Sequence, residues 1–342
     1  MNFSPFDGIK ILSCYDRIKQ ISKGKIPLPK TIEFFVSNRC NHNCIDCHSK
    51  VLHRLNPKFL KLKKFKEIID EISRVGVEGI EISGGGEPLL HPDIIEMIKY
   101  SNSKRIKVGL ITNGINIKRE MIRPLISNLL FIRFALDAAD RETYQKIHGQ
   151  DDYTTLLNNI RILVREQKRD GSKVSIGLKF LASKINYKEI LKASILAKEL
   201  KVDYIRFRRI RSSIYELSDS ELKEVDNLMK KANVLNSNKF QILDSTQHLP
   251  LETKCYLTPL HPCIDASGEV YLCYYFQNRM CSHRIGDLYR NSFRKIWFSK
   301  RHQKAIENIK VEECNIYDCP FGLSMRVIDE AIIKNKLHLE FI

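Results

Sequence analysis

The chain has 342 residues, with 57 Lys and Arg against 40 Asp and Glu, a formal net charge of +17. Hydrophobic residues make up 43% and charged residues 28%, ordinary globular usage that excludes wholesale disorder. No apolar run approaches the ~20 residues of a membrane span. The start of the chain lacks a basic segment followed by an apolar one, so a soluble, cytoplasmic protein with no membrane partner is expected. The length allows one large α/β domain plus a small appendage.

A mixed lead-in, 1–30, ends in the rigid run Ile26-Pro27-Leu28-Pro29. Strand-like and helix-like segments then alternate. Residues 31–37 (TIEFFVS) are β-branched and aromatic, which predicts a strand. The segment 58–75 carries Leu62, Phe65, Ile68, Ile69 and Ile72 at helical spacing. Further strands are predicted at 79–83, 106–111, 130–136, 173–181 and 202–208. Helices are predicted at 91–102, 118–128, 140–148, 153–168, 187–200 and 218–232. Six βα units imply an α/β fold, a parallel sheet flanked by helices. Six are too few to close an eight-stranded barrel, so the expectation is a curled, open sheet with function at the C-terminal strand ends. Near residue 245 the texture changes, with Pro, Gly, Cys and Tyr all rising. There 263–266 and 269–276 flank Ser267-Gly268 as a predicted hairpin. The expected organisation is a lead-in at 1–30, a barrel-like domain at 31–245 and a small domain at 246–342.

The ten cysteines are far below the density of a disulfide scaffold. Clustered thiols in a reducing compartment more often bind metal or do redox chemistry. Cys14 stands alone, Cys40, Cys44 and Cys47 form one group, and the remaining six begin at Cys255. Two metal sites on two structural units follow. The first group reads C-x3-C-x2-C directly after the first strand. Three such thiolates can hold three irons of a cubane and leave the fourth iron open to a small molecule. A structural zinc completed by His42 or His48 is the alternative. The following strand ends carry Ser83-Gly84-Gly85-Gly86-Glu87-Pro88, Thr112-Asn113-Gly114 and Phe134-Ala135-Leu136-Asp137. Glycines at a sheet edge let a ligand lie against the backbone, and Glu87 adds a carboxylate.

Together these residues resemble the radical S-adenosylmethionine (radical SAM) superfamily over roughly 31–235. The motifs are Cys40, Cys44 and Cys47, the 84–88 glycine turn, 112–114 and the run FIRFALDAADRETYQKIHG at 131–149. The resemblance implies a partial (βα)6 TIM-like barrel and a [4Fe–4S] cluster whose open iron chelates SAM. One electron then cleaves the sulfonium, and the 5′-deoxyadenosyl radical abstracts a hydrogen atom from substrate. By the same resemblance Gly84, Gly85, Gly86 and Glu87 meet the SAM methionyl amine. Asn113 and Asp137 meet its ribose or carboxylate end, with Lys179 as a further carboxylate contact. An external flavodoxin- or ferredoxin-like electron donor is implied. Two positions depart from the family pattern: Asp46 stands where an aromatic residue is common, and Ala135 where a serine is.

Cys255 and Cys273, separated by the hairpin, lead into Cys314 and Cys319. Four thiolates can close a cubane completely. This resembles the auxiliary-cluster extension called SPASM, or its shortened form, twitch, with one extra [4Fe–4S] cluster. The four-residue gap between Cys314 and Cys319 is longer than the pattern suggests, and zinc on the same thiols is the alternative. Cys263 and Cys281 are left over. Two uses are open for Cys263, a small apolar core residue or a thiol that returns a hydrogen atom to a substrate radical.

Two bound clusters would lower the positive charge only slightly, so acidic partners are favoured. Much of the charge is Lys on helix faces, a solvated surface. Arg206 and Arg208, alternating on strand six, face one side of the functional end, as an anion contact or as structural ion pairs. No nucleic-acid module is apparent, which speaks against direct work on nucleic acid. The expected function is a radical SAM oxidoreductase or epimerase acting on a small carbohydrate-like or nucleotide-linked substrate. Modification of a ribosomally made peptide is the second reading. A non-catalytic zinc or iron–sulfur protein that binds nucleic acid is the third.

Overall fold

The computed structural model describes residues 8–211, 213–246, 250, 254–315, 319 and 321–330. Among these, seven strands run parallel in chain order: β1 (Thr31–Phe34), β2 (Gly79–Ile82), β3 (Lys107–Thr112), β4 (Phe131–Ala135), β5 (Ser175–Ala182), β6 (Tyr204–Arg209) and β7 (Gln241–Ser245). Helix α1 (Tyr15–Ser22) lies in the lead-in. The crossovers carry α2 (Lys50–Leu55), α3 (Leu62–Arg74), α4 (Ile94–Ser103), α5 (Arg119–Asn128), α6 (Arg141–His148), α7 (Tyr153–Asp170), α8 (Ile190–Glu199) and α9 (Asp219–Asn233).

The C-terminal region holds β8 (Cys263–Ile264), β9 (Glu269–Tyr271) and β10 (Arg284–Asp287). Its helices are α10 (Met280–His283), α11 (Phe293–Trp297), α12 (Lys300–Glu307), α13 (Val311–Asn315) and α14 (Gly322–Ile328). The expected hairpin is β8–β9, antiparallel, with β10 added as a third strand. Its second arm is shorter than the sequence suggests, because the chain leaves the sheet after Tyr271. β8 also pairs in parallel with β1, so one ten-stranded sheet runs β10-β9-β8-β1-β2-β3-β4-β5-β6-β7.

The six expected βα units are present, and β7 is a seventh parallel strand that the sequence reading passed over. Within it only Ile242 is buried, too little to give a strand-like alternation. Along β1–β6 the side chains alternate. Ile32, Phe34, Ile80, Ile82, Val108, Leu110, Ile132, Phe134, Leu178 and Phe207 are buried under the helices. The opposite face lines a common cavity with Glu33, Glu81, Arg133, Lys179, Arg206 and Arg208. Strands that share one interior cavity must curl, which makes the sheet an open, partial TIM-like barrel.

Glycine makes room inside that barrel. A Cβ on Gly177 would overlap the Tyr204 ring, whose hydroxyl accepts a hydrogen bond from Arg133 Nε at 3.1 Å. The C-terminal helices are fastened from outside. The Glu71 carboxylate on α3 accepts from Phe293 N at 2.8 Å and Arg294 N at 2.9 Å. The fully buried Trp297 stacks on Phe293 and donates to Pro27 O at 2.8 Å. At the β8–β9 turn the Asp265 carboxylate accepts from Ser267 N and Glu269 N, each at 2.9 Å. Burial, reinforced by Glu269, still pushes its carboxyl up to about 7.

Two outcomes are expected. Gly177→Ala destabilises the chain by about 1–3 kcal/mol through overpacking against Tyr204, measured by urea unfolding. Asp265, Glu33 and Glu87 hold protons in the folded state above the pH at which the unfolded chain releases them. The contribution of Asp265 and Glu87 to stability is therefore lost as pH rises from the unfolded carboxylate value through about 7, and that of Glu33 is lost in the same direction. Asp265→Asn keeps the acceptor oxygen but removes one titrating group. Its pH profile between 4.5 and 7.5 falls less than the parent's, by a few kcal/mol.

Candidate functional site

The loop after β1 carries Cys40, Cys44 and Cys47 over the mouth of the interior cavity, which has a volume of about 950 Å³. The end of α6 and the loops after β2 and β3 hold this loop. Asn43 N donates to His148 O at 3.1 Å and Ile45 N to Ile147 O at 2.9 Å, anchoring it on the end of α6. Gly149 ends that helix at φ +69°, and a Cβ there would press on the Asn43 carbonyl at 2.9 Å. From β2, Glu87 N donates to Arg39 O at 2.8 Å, and Gly84 O accepts from Ser49 Oγ at 3.3 Å. From β3, Asn113 Nδ2 donates to Asn41 Oδ1 at 2.8 Å.

The glycine turn is packed as well as open. Gly84 and Gly86 line the cavity, whereas a Cβ on Gly85 would overlap the Asn38 amide and one on Gly86 the Arg39 carbonyl. Glu87 is buried, with Oε1 accepting from Leu89 N at 2.9 Å and from the Thr112 hydroxyl, and Oε2 accepting from Asn113 N at 2.7 Å. Burial pushes its carboxyl up to about 7 against those donors. Asp137, at φ +52°, lines the cavity and accepts from Leu181 N at 2.6 Å. Asn113, Lys179, Arg206 and Arg208 line the same space. Arg206 donates to Ser245 Oγ at 3.2 Å. Its guanidinium is lowered to about 10 by burial and by the neighbouring Arg133 and Arg208.

Three of the thiols therefore face one chamber. Burial pushes Cys40 up to about 11 and Cys44 up to about 12, the latter reinforced by Cys47 and Cys40, and burial raises Cys47 too. Thiols that raise one another in this way release protons when a cation joins them. His148 Nε2 faces Leu136 O at 3.2 Å, which turns the Nδ1 lone pair toward Cys44 Sγ at 3.3 Å. His42, Cys44 and His148 keep their ligand atoms within 4.8 Å of one another. His42 turns toward Asp152, at 3.4 Å, and burial and His148 lower it to about 4. Asp46 lines the cavity with a buried Oδ2 that lacks a hydrogen-bond partner among the described residues.

A second chamber abuts the first. Cys255, Cys273, Cys314 and Cys319 line it together, around Arg279 and His283. Leu257, His261, Tyr274, Tyr275 and Phe321 belong to the walls of both chambers. Burial raises Cys255, Cys273 and Cys319, the last to about 12 with Cys255 adding to the effect. Both donor sets suit iron–sulfur clusters: three thiols in one loop beside open space, and four that converge in a closed one.

Cys263 is not brought to the cavity. It is fully buried on β8 with Phe35, Leu52, Tyr271 and Phe276, and it is absent from the lining of both chambers. Cys281 is exposed on α10 and Cys14 is buried in another apolar cluster. Sequence reasoning passed over Glu33, Tyr274, Tyr275 and Arg279. Glu33 was the one acidic residue in an otherwise apolar first strand, a usable signal. Tyr275 was not readable, since its partners are distant in sequence: its hydroxyl accepts from Arg208 at 3.1 Å and its ring meets His48 edge-on at 5.7 Å.

The Radical SAM superfamily model matches residues 34–181, and the SPASM iron–sulfur cluster-binding domain model matches 255–320. The chain is 26% identical over 227 residues to a probable GTP 3′,8-cyclase of Methanocaldococcus jannaschii, covering 64% of this chain and 74% of that one. It is 26% identical over 275 residues to mycofactocin maturase MftC of Mycobacterium tuberculosis, covering 75% and 67%. In fold it is similar to SuiB of Streptococcus suis bound to S-adenosylmethionine, with TM-score 0.69, 14% identity and 94% and 78% coverage. The native anSMEcpe structure with bound AdoMet gives TM-score 0.66, 15% identity and 88% and 96% coverage. Among the described residues no helix is long and apolar enough to cross a membrane. With this membership come a [4Fe–4S] cluster and SAM as cofactors and an auxiliary iron–sulfur cluster. This chain belongs to the radical SAM superfamily and carries a C-terminal SPASM domain.

Proposed function

We propose that Cys40, Cys44 and Cys47 hold the SAM-binding cluster, that Cys255, Cys273, Cys314 and Cys319 hold one auxiliary cluster, and that the enzyme oxidises an anionic substrate in the chamber between them. The observation that carries this reading is the shared wall: five residues line both the chamber that holds the first thiols and the chamber that holds the second. When bound, the clusters and SAM supply one-electron cleavage of the sulfonium, hydrogen abstraction and an acceptor for the electron left on the substrate. The electrons come from an external flavodoxin- or ferredoxin-like donor.

The chain's own residues bind and orient. The Gly84–Glu87 turn, Asn113, Asp137 and Lys179 border the space beside the three thiols and take SAM. Glu87 does so by bracing the β2 and β3 ends against each other, through Leu89, Thr112 and Asn113. Arg206 and Arg208 point into the chamber from β6, where guanidinium forks suit a phosphate or carboxylate. Oxidation is favoured over thiol-assisted epimerisation because Cys263 lies outside the chamber lining.

A nucleotide-linked or carbohydrate-like substrate is supported by the arginine wall and by the likeness to the cyclase, whose name includes GTP. A peptide substrate is the second reading. It is supported by the likeness to MftC, whose name makes it a maturase, and in fold to SuiB, which has been crystallised with the precursor peptide SuiA.

Anaerobically reconstituted protein is expected to hold about seven to eight irons per chain and, with dithionite and SAM, to release 5′-deoxyadenosine. Cys44→Ala abolishes that release; its persistence would overturn the assignment of the first group. The double variant Cys314→Ala/Cys319→Ala retains SAM cleavage and loses about four irons. Deuterium from a labelled nucleotide or sugar enters 5′-deoxyadenosine if the first substrate reading holds. Transfer only from a labelled peptide would replace it with the second.

A further inference from the structure

We infer that Arg279 is a positioning residue that raises the reduction potential of the second cysteine group. The inference rests on the reading that these four thiols hold an iron–sulfur cluster. Arg279 stands at the entrance to α10, six residues after Cys273. Its Nε and Nη2 donate to Tyr275 O at 3.2 and 2.8 Å, which pins the guanidinium plane. The fork then reaches Cys314 Sγ with Nη1 at 3.1 Å and lies 3.9 Å from Cys273 Sγ with Nη2. Cys314 is contributed by α13 and Cys273 by the loop after β9, so one side chain addresses two arms of the site.

A guanidinium cannot lose its proton in a protein, so the charge at these sulfurs is permanent. Among the described residues lining that chamber, Arg279 is the one such cation. His283 is lowered to about 4 by burial and Arg279, and burial also lowers His261, so both are neutral near pH 7. A donor hydrogen bond to sulfur and a nearby positive charge both favour the more negative, reduced state of a thiolate-bound cluster, and hence raise its potential. The effect is strong here because the site is shielded from water. An acceptor of electrons from the adjoining chamber needs such a raised potential.

The test uses full-length protein with Cys40→Ala, Cys44→Ala and Cys47→Ala, reconstituted anaerobically so that the second group alone carries iron. Its midpoint potential is read by redox titration with electron paramagnetic resonance. Arg279→Gln keeps amide donors but loses the charge, and Arg279→Lys keeps the charge but loses the fork. We expect Arg279→Gln to lower the reduced-to-oxidised ratio at fixed potential about tenfold, a negative shift of about 59 mV for one electron. Arg279→Lys should stay near the parent value. Loss of iron from the Gln variant alone would overturn the inference, since the charge would then be a condition for holding iron and not a setting of its potential. An unshifted Gln variant, equal shifts in both variants, or equal loss of iron from both would overturn the inference and leave Arg279 as a brace for the loop. Zinc or no metal in the parent with Arg279 intact would instead overturn the cluster reading itself.

Discussion

The parallel pairing of β8 with the outer edge of β1 is the contact on which the site depends. Glu33 N donates to Pro262 O and Phe35 N to Ile264 O, each at 2.9 Å, so the C-terminal region is a continuation of the barrel sheet. The first cysteine loop leaves the C-terminal end of β1, and the chain reaches Cys273 just after β9, the partner of β8. The first thiol group and Cys273 of the second thus follow strands of one continuous sheet. A tethered appendage would leave their separation to a linker, whereas backbone ladder bonds hold it as firmly as any register in the sheet.

Inside the barrel the balance differs from that of an apolar core. Glu33 is buried beside Glu81 and opposite Arg133 and Arg208, and burial drives its carboxyl well up. Arg206 is crowded by two other guanidiniums. Charges held together out of water are costly unless they are paired or have a task, and perturbed groups gathered in a cleft are the usual mark of a functional site. The structural burden is carried by the other face of the same strands, where Phe34, Ile82, Leu110, Phe134 and Leu178 seal against the helices. Alternation along a strand lets one sheet do both.

Periodicity made the parallel units legible, since each strand and helix signals itself within a dozen residues. The cysteine spacing marked both thiol groups for the same reason: the first group is local, and the second lies in the last quarter of the chain. β7 escaped notice because an edge strand with one buried residue, Ile242, hardly differs from a loop. The attachment of β8 to β1 could not be read at all, because it joins residues about 230 apart in sequence through backbone groups that any side chain would offer. Glu87 illustrates a subtler gap. Its motif marks it as important, yet the three donors that occupy its oxygens come from two strand ends and follow only from the fold.

The single tryptophan sits where the lead-in, the barrel and the last helices meet. Its indole is fully buried, its nitrogen is tied to Pro27, and the ring is flanked by Phe293 and His302. Parting the C-terminal helices from the barrel would wet this one fluorophore and leave the other aromatic residues dark by comparison. The molecule thus carries its own optical gauge of whether the region holding the second set of sulfurs is docked.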